Sequence, residues 1–202
     1  MRIYHKTTPP GSEAHIFEPV WDDLRFPAQG INPPGAVSDP AVEAETGLLL
    51  FSASQTNVVA GVAQMPHSWR EGSVIVPHVH WQKTVAGAGD VLWRFEYDNI
   101  VDPGEISDLL YANVLDVTTP VPGTPDDNAA RRNLISSFGE VDTTGKRISC
   151  CILWKLSRIG GDGADTYAEL ARLVEFDIHY QLDGGGSWQQ FIKGPEEDRE
   201  YP

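Results

Sequence analysis

Cysteine is scarce in this 202-residue sequence, and both cysteines stand side by side as Cys150 and Cys151. Neighbouring residues of a strand point to opposite faces, so a bridge between these two would be strained. A disulfide framework is therefore excluded, which suits folding in a reducing cytoplasm. The sequence also lacks an apolar signal core near its N-terminus and any run of transmembrane length. We expect synthesis in a cytoplasm and no membrane partner.

Positive charge is also in short supply. Lys and Arg number 15 against 29 Asp and Glu, which gives a formal net charge of −14. Binding to a phosphate backbone depends on Lys and Arg, so we expect no nucleic-acid partner. The same acidity disfavours an anionic membrane surface and favours docking on a basic patch of a protein partner.

Catalytic signatures are missing as well. The chain has no G-x-S-x-G nucleophile motif, no P-loop and no dinucleotide fingerprint. With 29 acidic residues, some pair of carboxylates is always available, so such a pair does not indicate a glycosidase. We predict that the protein is not an enzyme, and we assign no catalytic residue and no cofactor.

Glycine and proline are plentiful, at 19 and 15 residues, which indicates many turns and little room for long helices. From Gly47 onward, strand-like runs follow one another without intervening helical patterns. The run DVLWRFEYD alternates cleanly, with Val91, Trp93 and Phe95 on one face and Arg94 on the other. These patterns predict an all-β fold, namely an antiparallel two-sheet jelly-roll sandwich with an extended N-terminal arm.

We predict three parts along the chain. They are an extended N-terminal arm at 1–47, a jelly-roll β-sandwich at 48–193 and an acidic C-terminal tail at 194–202. The arm is rich in Pro, Gly, Ser and Glu, and we expect its aromatic side chains to pack on its own sandwich or on another copy. Within the sandwich, the AGAGD turn at 86–90 predicts a hairpin between the strands on either side of it.

The central strand carries His78 and His80, which point the same way because they are two residues apart. With Gly72 before them, they resemble the first half of the cupin metal motif, G-x5-H-x-H, and cupins are also jelly rolls. The glutamate that the motif expects next is absent, since Thr84 and Val85 stand there. A catalytic metal needs about three protein ligands. We therefore predict no metal and expect the two imidazoles to hydrogen-bond in the sheet or at a subunit contact, with a metal pair as the alternative.

The last long run, AELARLVEFDIHYQL, predicts a strand with one apolar face. Its members are Leu170, Val174, Phe176, Ile178, Tyr180 and Leu182, interrupted by Arg172. The opposite face carries Glu175, Asp177 and His179. That combination fits a metal cluster or, more simply, an exposed acidic strand face.

Four segments prompt a family resemblance. They are WDDLRFP at 21–27, QMPHSWREGS at 64–73, PHVHW at 77–81 and FEY at 95–97. In this order they resemble a family of tailed-phage and prophage proteins, with Arg70 standing where Lys is commoner. The resemblance implies a virion structural protein of jelly-roll type, such as a capsid decoration (cement) protein, a head fibre or a tail-associated component.

The resemblance also implies partners. Decoration proteins commonly act as trimers, so we expect a homotrimer bound to the major capsid protein or another virion protein, and a location in the virion. Interfaces between identical subunits favour Trp, Tyr, Phe and Arg. Our interface candidates are Trp21, Phe26, Trp69, Arg70 and Trp81. The alternative is that these rings fill the core of the chain itself.

Two other functions stay open at this point. One is a host-recognition module on a tail or head fibre, which would bind carbohydrate through the 101–130 loop and Trp188. The other is a cupin-like metal-binding enzyme that would use His78 and His80.

Overall fold

The computed structural model describes residues 20–123, 132–183, 186, 187, 190 and 193. Within these ranges, the regular structure consists of ten strands and a 3-10 turn at Ala28–Gly30. The strands are β1 (Val20–Pro27), β2 (Ala41–Val42), β3 (Leu49–Phe51), β4 (Thr56–Gln64), β5 (Ile75–Lys83), β6 (Gly89–Tyr97), β7 (Asn113–Val121), β8 (Asn133–Ser137), β9 (Cys151–Ile159) and β10 (Ala171–Leu182). No helix in the described ranges has the length and apolarity that a membrane crossing requires.

The strands form two antiparallel sheets. The larger sheet has the order β2-β3-β10-β5-β8, and β1 also pairs with β10; the smaller sheet has the order β4-β9-β6-β7. From β3 to β10 the chain changes sheet at every step except the β6–β7 hairpin, which is the connectivity of a jelly roll. The predicted all-β, two-sheet jelly-roll sandwich is therefore confirmed.

Aromatic side chains fill the space between the two sheets. Phe51 and Trp93 meet edge to face with ring centroids 5.1 Å apart, and Trp154 lies 4.6 Å from Phe176. All four are fully buried. Large rings of this kind bury much apolar area per residue, and they hold the larger sheet against the smaller one.

The N-terminal boundary predicted at residue 47 needs correction, because β1 and β2 already belong to the larger sheet. β1 pairs with β10 over its whole length, from Val20 opposite Leu182 to Pro27 opposite Glu175. Its sequence alternates, so Phe26 turns inward and its ring lies 5.3 Å from that of a core tryptophan. The ladder and this burial hold 20–27 in the sandwich. Residues 1–19 and the predicted acidic tail at 194–202 lie outside the described residues.

The predicted apolar face of β10 is wrong before Val174, because the strand contains a β-bulge. The register against β5 shifts after Leu173, which leaves Val174 as the extra residue. Beyond the bulge, Phe176 and alternate residues face the core as predicted. Before it, the alternation is offset by one residue, so Ala171 and Leu173 are buried and Leu170 is exposed.

The AGAGD segment does not close a hairpin, because β5 lies in the larger sheet and β6 in the smaller one. The crossing brings the chain close to another backbone segment: a Cβ atom on Gly89 would lie 2.7 Å from the backbone of Tyr167. Glycine is required there for that reason and for its φ of 140°. β5 pairs instead with β10 on one side and β8 on the other, which confirms it as a central strand.

Candidate binding face and histidine–aspartate cluster

The outer face of the larger sheet, which points away from the core, collects polar side chains from three strands. Alternate residues of β5 and β10 fill the core, so the residues between them point outward. The candidate site on this outer face contains Arg25 from β1, His78 and His80 from β5, and Asp177 and His179 from β10.

His78, His80 and Asp177 converge near the middle of the outer face, and we call them the His–Asp cluster. Asp177 stands opposite His78 in the β10–β5 ladder. Nε2 of His78 lies 3.0 Å from Nε2 of His80 and 2.5 Å from Oδ1 of Asp177. Oδ2 of Asp177 lies 3.3 Å from Nε2 of His80. The prediction that both imidazoles point the same way is confirmed.

The other ring nitrogen of His78 is also placed. Its Nδ1 lies 3.4 Å from the carbonyl oxygen of Val76, to which an Nδ1–H group donates. Burial lowers the pKa of His78, but the Asp177 carboxylate, the Val76 carbonyl and the charge of Asp23 together raise it by more, so the pKa lies above its ordinary value. Despite the short separation, Oδ1 of Asp177 is buried and has no hydrogen-bond partner of suitable geometry among the described residues.

The ion pair of Arg25 with Glu175 and the contact of His179 with Asp23 flank the His–Asp cluster. Arg25 donates from Nε and Nη2 to the two carboxylate oxygens of Glu175, both at 2.6 Å, and that carboxylate raises the pKa of Arg25. His179 lies 2.9 Å from Asp23 through Nε2 and Oδ1. Its ring also packs on that of His78, with centroids 4.0 Å apart. These contacts restrict the side chains that surround the cluster.

A cavity of about 310 Å³ opens beside the cluster. It is lined by Asp23, Arg25, His80, Asn133, Val174, Glu175 and Asp177. These residues include carboxylates, an amide and a guanidinium group, which between them donate and accept hydrogen bonds. Trp21 lies on the same face, 41% exposed, with its ring centroid 6.5 Å from that of His179.

The predicted interface residues separate into two groups. Trp69 and Trp81 have no exposed surface, so the structure corrects their assignment: they fill the core of the chain itself. Phe26 also packs against the core. Trp21 and Arg70 are exposed, and an interface role for them stays a prediction.

The loop predicted to bind carbohydrate, 101–130, is described only in part. β7 occupies its middle, residues 124–130 lie outside the described ranges, and so does Trp188. The first part belongs to an irregular segment, the 99–111 loop, which Asp98 anchors. The Asp98 carboxylate accepts hydrogen bonds from the Ser107 hydroxyl and from the backbone N–H of Leu109 at 2.8 Å. A second cavity, of about 740 Å³, lies between this loop and the 142–146 turn.

The sequence placed Asp177 on one face of its strand with Glu175 and His179, but it did not connect Asp177 to the histidines of β5. That connection depends on the pairing of two strands that are about a hundred residues apart in the chain. No local pattern reveals such a register.

No protein-family model and no curated protein matches the sequence. Among solved structures, the chain is similar to the CBM35 module of Cellvibrio japonicus Abf62, with a TM-score of 0.46 and 9% identity over 81% of this chain and 100% of that one. It is also similar to the CBM22-1–GH10 modules of Clostridium thermocellum xylanase 10B complexed with xylohexaose, with a TM-score of 0.34 and 10% identity over 84% of this chain and 27% of that one. A third similarity is to lectin I-B4 of Griffonia simplicifolia in its metal-free form, with a TM-score of 0.30 and 9% identity over 77% and 98% of the two chains. At TM-scores this low, these similarities carry no argument about what the chain binds.

Proposed function

We propose that the protein is a non-catalytic binding module that takes a carbohydrate on the outer face of the larger sheet. The observation that carries this proposal is the cavity of about 310 Å³ on that face, which is lined mainly by polar side chains and shares the face with the exposed ring of Trp21. Its volume lies at the lower end of the range for small-molecule sites, about 300–1,000 Å³.

The cavity lining matches the chemistry of a sugar. Sugar hydroxyl groups both donate and accept hydrogen bonds; here Arg25 donates, Asp23 accepts and Asn133 does both. A pyranose ring also has an apolar side of C–H groups, for which Trp21 offers a flat aromatic surface. The combination favours a ligand with many hydroxyl groups over a purely apolar one.

The overall charge narrows the ligand class further. A chain with a formal net charge of −14 repels anions at long range, so a neutral polysaccharide fits better than a uronate or sulfated one. This preference concerns the approach of the ligand, whereas the cavity side chains determine its orientation.

The test is a glycan array, followed by affinity measurements with the polysaccharides that are retained. Arg25→Ala removes a donor from the cavity, and we expect the dissociation constant to rise about tenfold or more, because a hydrogen bond from a charged group contributes about 1.5–3 kcal/mol. Arg94→Ala is the matched control, since Arg94 makes a similar bidentate pair with Asp116 on the smaller sheet. The proposal fails if the wild type retains no glycan, or if both variants lose affinity equally.

A second candidate function is the virion structural role that the sequence resemblance implies, and an exposed apolar patch in the 99–111 loop favours it. Ile106, Leu109 and Leu110 are 91%, 60% and 71% exposed. Leu109 and Tyr111 also have positive φ angles of 54° and 48°, a costly backbone for such side chains. We propose that this patch contacts another copy of the chain in a trimer on the particle.

Light scattering during gel filtration tests the trimer. The wild type is expected at three times the monomer mass, and the double variant Ile106→Ser, Leu110→Ser at the monomer mass. Val37→Ser is the control, because Val37 is 98% exposed elsewhere on the surface. A monomeric wild type that is also missing from mass spectra of purified particles would remove this role.

A further inference from the structure

The His–Asp cluster brings three metal-binding atoms to one point. They are Nε2 of His78, Nε2 of His80 and a carboxylate oxygen of Asp177, and all lie within 4.8 Å of one another. The separations of 3.0 Å between the two nitrogens and 3.3 Å between His80 and Asp177 are close to those of ligands around a common ion, and the 2.5 Å between His78 and Asp177 would lengthen when an ion binds. Ligand atoms about 2.1 Å from one zinc ion lie roughly 3 Å apart.

The hydrogen bond between His78 and Val76 leaves a nitrogen lone pair of His78 facing that point. The backbone carbonyl of Val76 accepts from Nδ1 of His78, and in a neutral imidazole this places the lone pair on Nε2. A backbone carbonyl is a common partner for the second nitrogen of a metal-bound histidine. The carboxylate of Asp177 adds further lone pairs from the neighbouring strand.

The burial of the Asp177 carboxylate is a further observation that is compatible with a bound cation. The Asp177 side chain is about 95% buried, and Oδ1 lies 2.5 Å from Nε2 of His78 but accepts no hydrogen bond of suitable geometry from the described residues. A buried carboxylate oxygen without a partner costs free energy unless a cation or a donor satisfies it. Oδ1 faces the imidazole of His78, and Oδ2 faces that of His80.

We propose that His78, His80 and Asp177 bind one divalent first-row transition-metal ion, of the Zn²⁺ or Co²⁺ type. Two imidazole nitrogens and one carboxylate oxygen suit such ions better than Ca²⁺ or Mg²⁺, which prefer oxygen ligands alone. All three ligands project from β5 and β10, which are paired on both sides in the larger sheet, so hydrogen bonds to neighbouring strands fix the backbone that carries them.

The metal keeps an open side. His80 and Asp177 both line the cavity of about 310 Å³, and the His80 side chain is 32% exposed. Three protein ligands leave at least one coordination position for water or for an oxygen atom of a bound molecule. The metal site does not depend on the carbohydrate proposal, because it rests on the three ligands alone.

The experiment measures metal binding by the full-length protein with no glycan present. After removal of metal with a chelator, the protein is titrated with Zn²⁺ by calorimetry, and the bound metal is counted by elemental analysis. Co²⁺ is added in parallel, because its visible absorption reports on the ligands that surround it. We expect one ion per chain and a Co²⁺ spectrum that Zn²⁺ abolishes.

Variants assign the ligands. His80→Ala and Asp177→Asn are each expected to weaken Zn²⁺ binding about 100-fold or more, since even changes to residues behind the ligands commonly cost 10–100-fold. His67→Ala is the matched control and retains wild-type affinity; His67 lies in a loop, where it contacts Ser187. Circular dichroism of each metal-free variant confirms that it is folded. If Asp177→Asn does not fold, His80→Ala alone tests the ligand assignment. His80 is more exposed than Asp177, so its replacement disturbs the fold less.

Two results would overturn the proposal. One is a wild type that binds less than about half an equivalent of either ion; the other is unchanged binding in His80→Ala. Repeating the glycan measurement with chelator separates the two proposals. Metal binding without glycan binding would support the metal site and contradict the carbohydrate proposal. Glycan binding by a protein that binds no metal would support the carbohydrate proposal and contradict the metal site.

Discussion

At the scale of the residue, Arg158 joins a strand to a loop. It lies in β9 with no exposed surface, and its guanidinium group points its N–H donors at oxygen atoms. Nε and Nη2 donate to the two oxygens of Asp165 at 2.9 and 2.7 Å, and Nη1 donates to the carbonyls of Phe51 and Glu169 at 3.2 and 2.6 Å. A buried guanidinium group is tolerated there because its N–H donors meet a carboxylate and backbone carbonyls.

Replacing Arg158 should therefore be severe. Arg158→Ala is expected to lower the free energy of unfolding by about 3–5 kcal/mol, because it leaves the buried Asp165 carboxylate without its cation. Urea denaturation measures the loss. The double variant Arg158→Met, Asp165→Leu should recover only part of it, because the carbonyls of Phe51 and Glu169 lose their donor in both variants. A single-variant loss below about 1 kcal/mol, the range of exposed pairs, would contradict this account.

Asp98 gives the chain a local response to acid. Burial raises the pKa of Asp98, but hydrogen bonds with the side chains of Asp108 and Ser107, and from the backbone of Asn99 and Leu109, lower it to about 2 from a model-compound value of 3.8. A folded-state pKa below the unfolded one means that the stabilisation is complete above pH 3.8 and is lost as the pH falls towards 2.

We therefore expect the 99–111 loop to loosen between about pH 4 and pH 2 before the core unfolds. Limited proteolysis with an acid-active protease, or amide exchange of the loop, would show it. Asp98→Asn is the control: its loop should be loose at neutral pH and change little on acidification. Equal protection of the loop in both proteins at pH 7 would argue against this role.

At the scale of the element, β1 covers the edge of the longest strand. It pairs with β10 from Glu175 to Leu182 and packs Leu24 and Phe26 against the core. Without it, β10 would present a row of unpaired backbone groups and an uncovered apolar strip. Such an edge is a template for association with other chains.

Deletion of residues 1–27 should therefore produce aggregates and a lower unfolding midpoint. Deletion of residues 1–19 is the matched control, because it leaves every β1–β10 hydrogen bond in place. Gel filtration with light scattering and thermal unfolding compare the two. If the longer deletion stays as monodisperse and as stable as the shorter one, β1 is dispensable.

Elements with unbroken alternation were predictable from sequence, and elements with local defects were not. Val91, Trp93 and Phe95 of β6 are buried as their spacing predicts. In β10, the extra residue Val174 reverses the alternation, and a bulge has no reliable signature in a single sequence. For the same reason Leu170 was predicted on the wrong face.

The candidate site was also predictable from the sequence only in part. The shared face of His78 and His80, and that of Asp177 and His179, followed from a period of two. The meeting of the two sets did not, because it depends on which strands are neighbours. The bulge adds to this, since it fixes which β10 residue stands opposite His78.

At the scale of the whole molecule, the dominant feature is the excess of negative charge. A formal net charge of −14 on 202 residues means that the folded chain repels itself as well as anionic partners. Salt screens this repulsion, since the Debye length falls from about 30 Å at 0.01 M to about 8 Å at 0.15 M.

We expect the thermal midpoint to rise between these two sodium chloride concentrations, as measured by calorimetry. A variant with Glu45→Gln and Glu140→Gln, both at exposed positions, should show a higher midpoint at low salt and a smaller rise. A midpoint that falls with salt would indicate that favourable ion pairs outweigh the repulsion.

The position of β10 in the larger sheet also sets an order for synthesis on the ribosome. β1, β3 and β5 all pair with β10, although they are made at least 88 residues before it begins. The smaller sheet has all its strands once β9 has emerged, whereas the larger sheet must wait for the chain to reach Leu182. Until then the nascent chain carries three strands whose common partner does not yet exist.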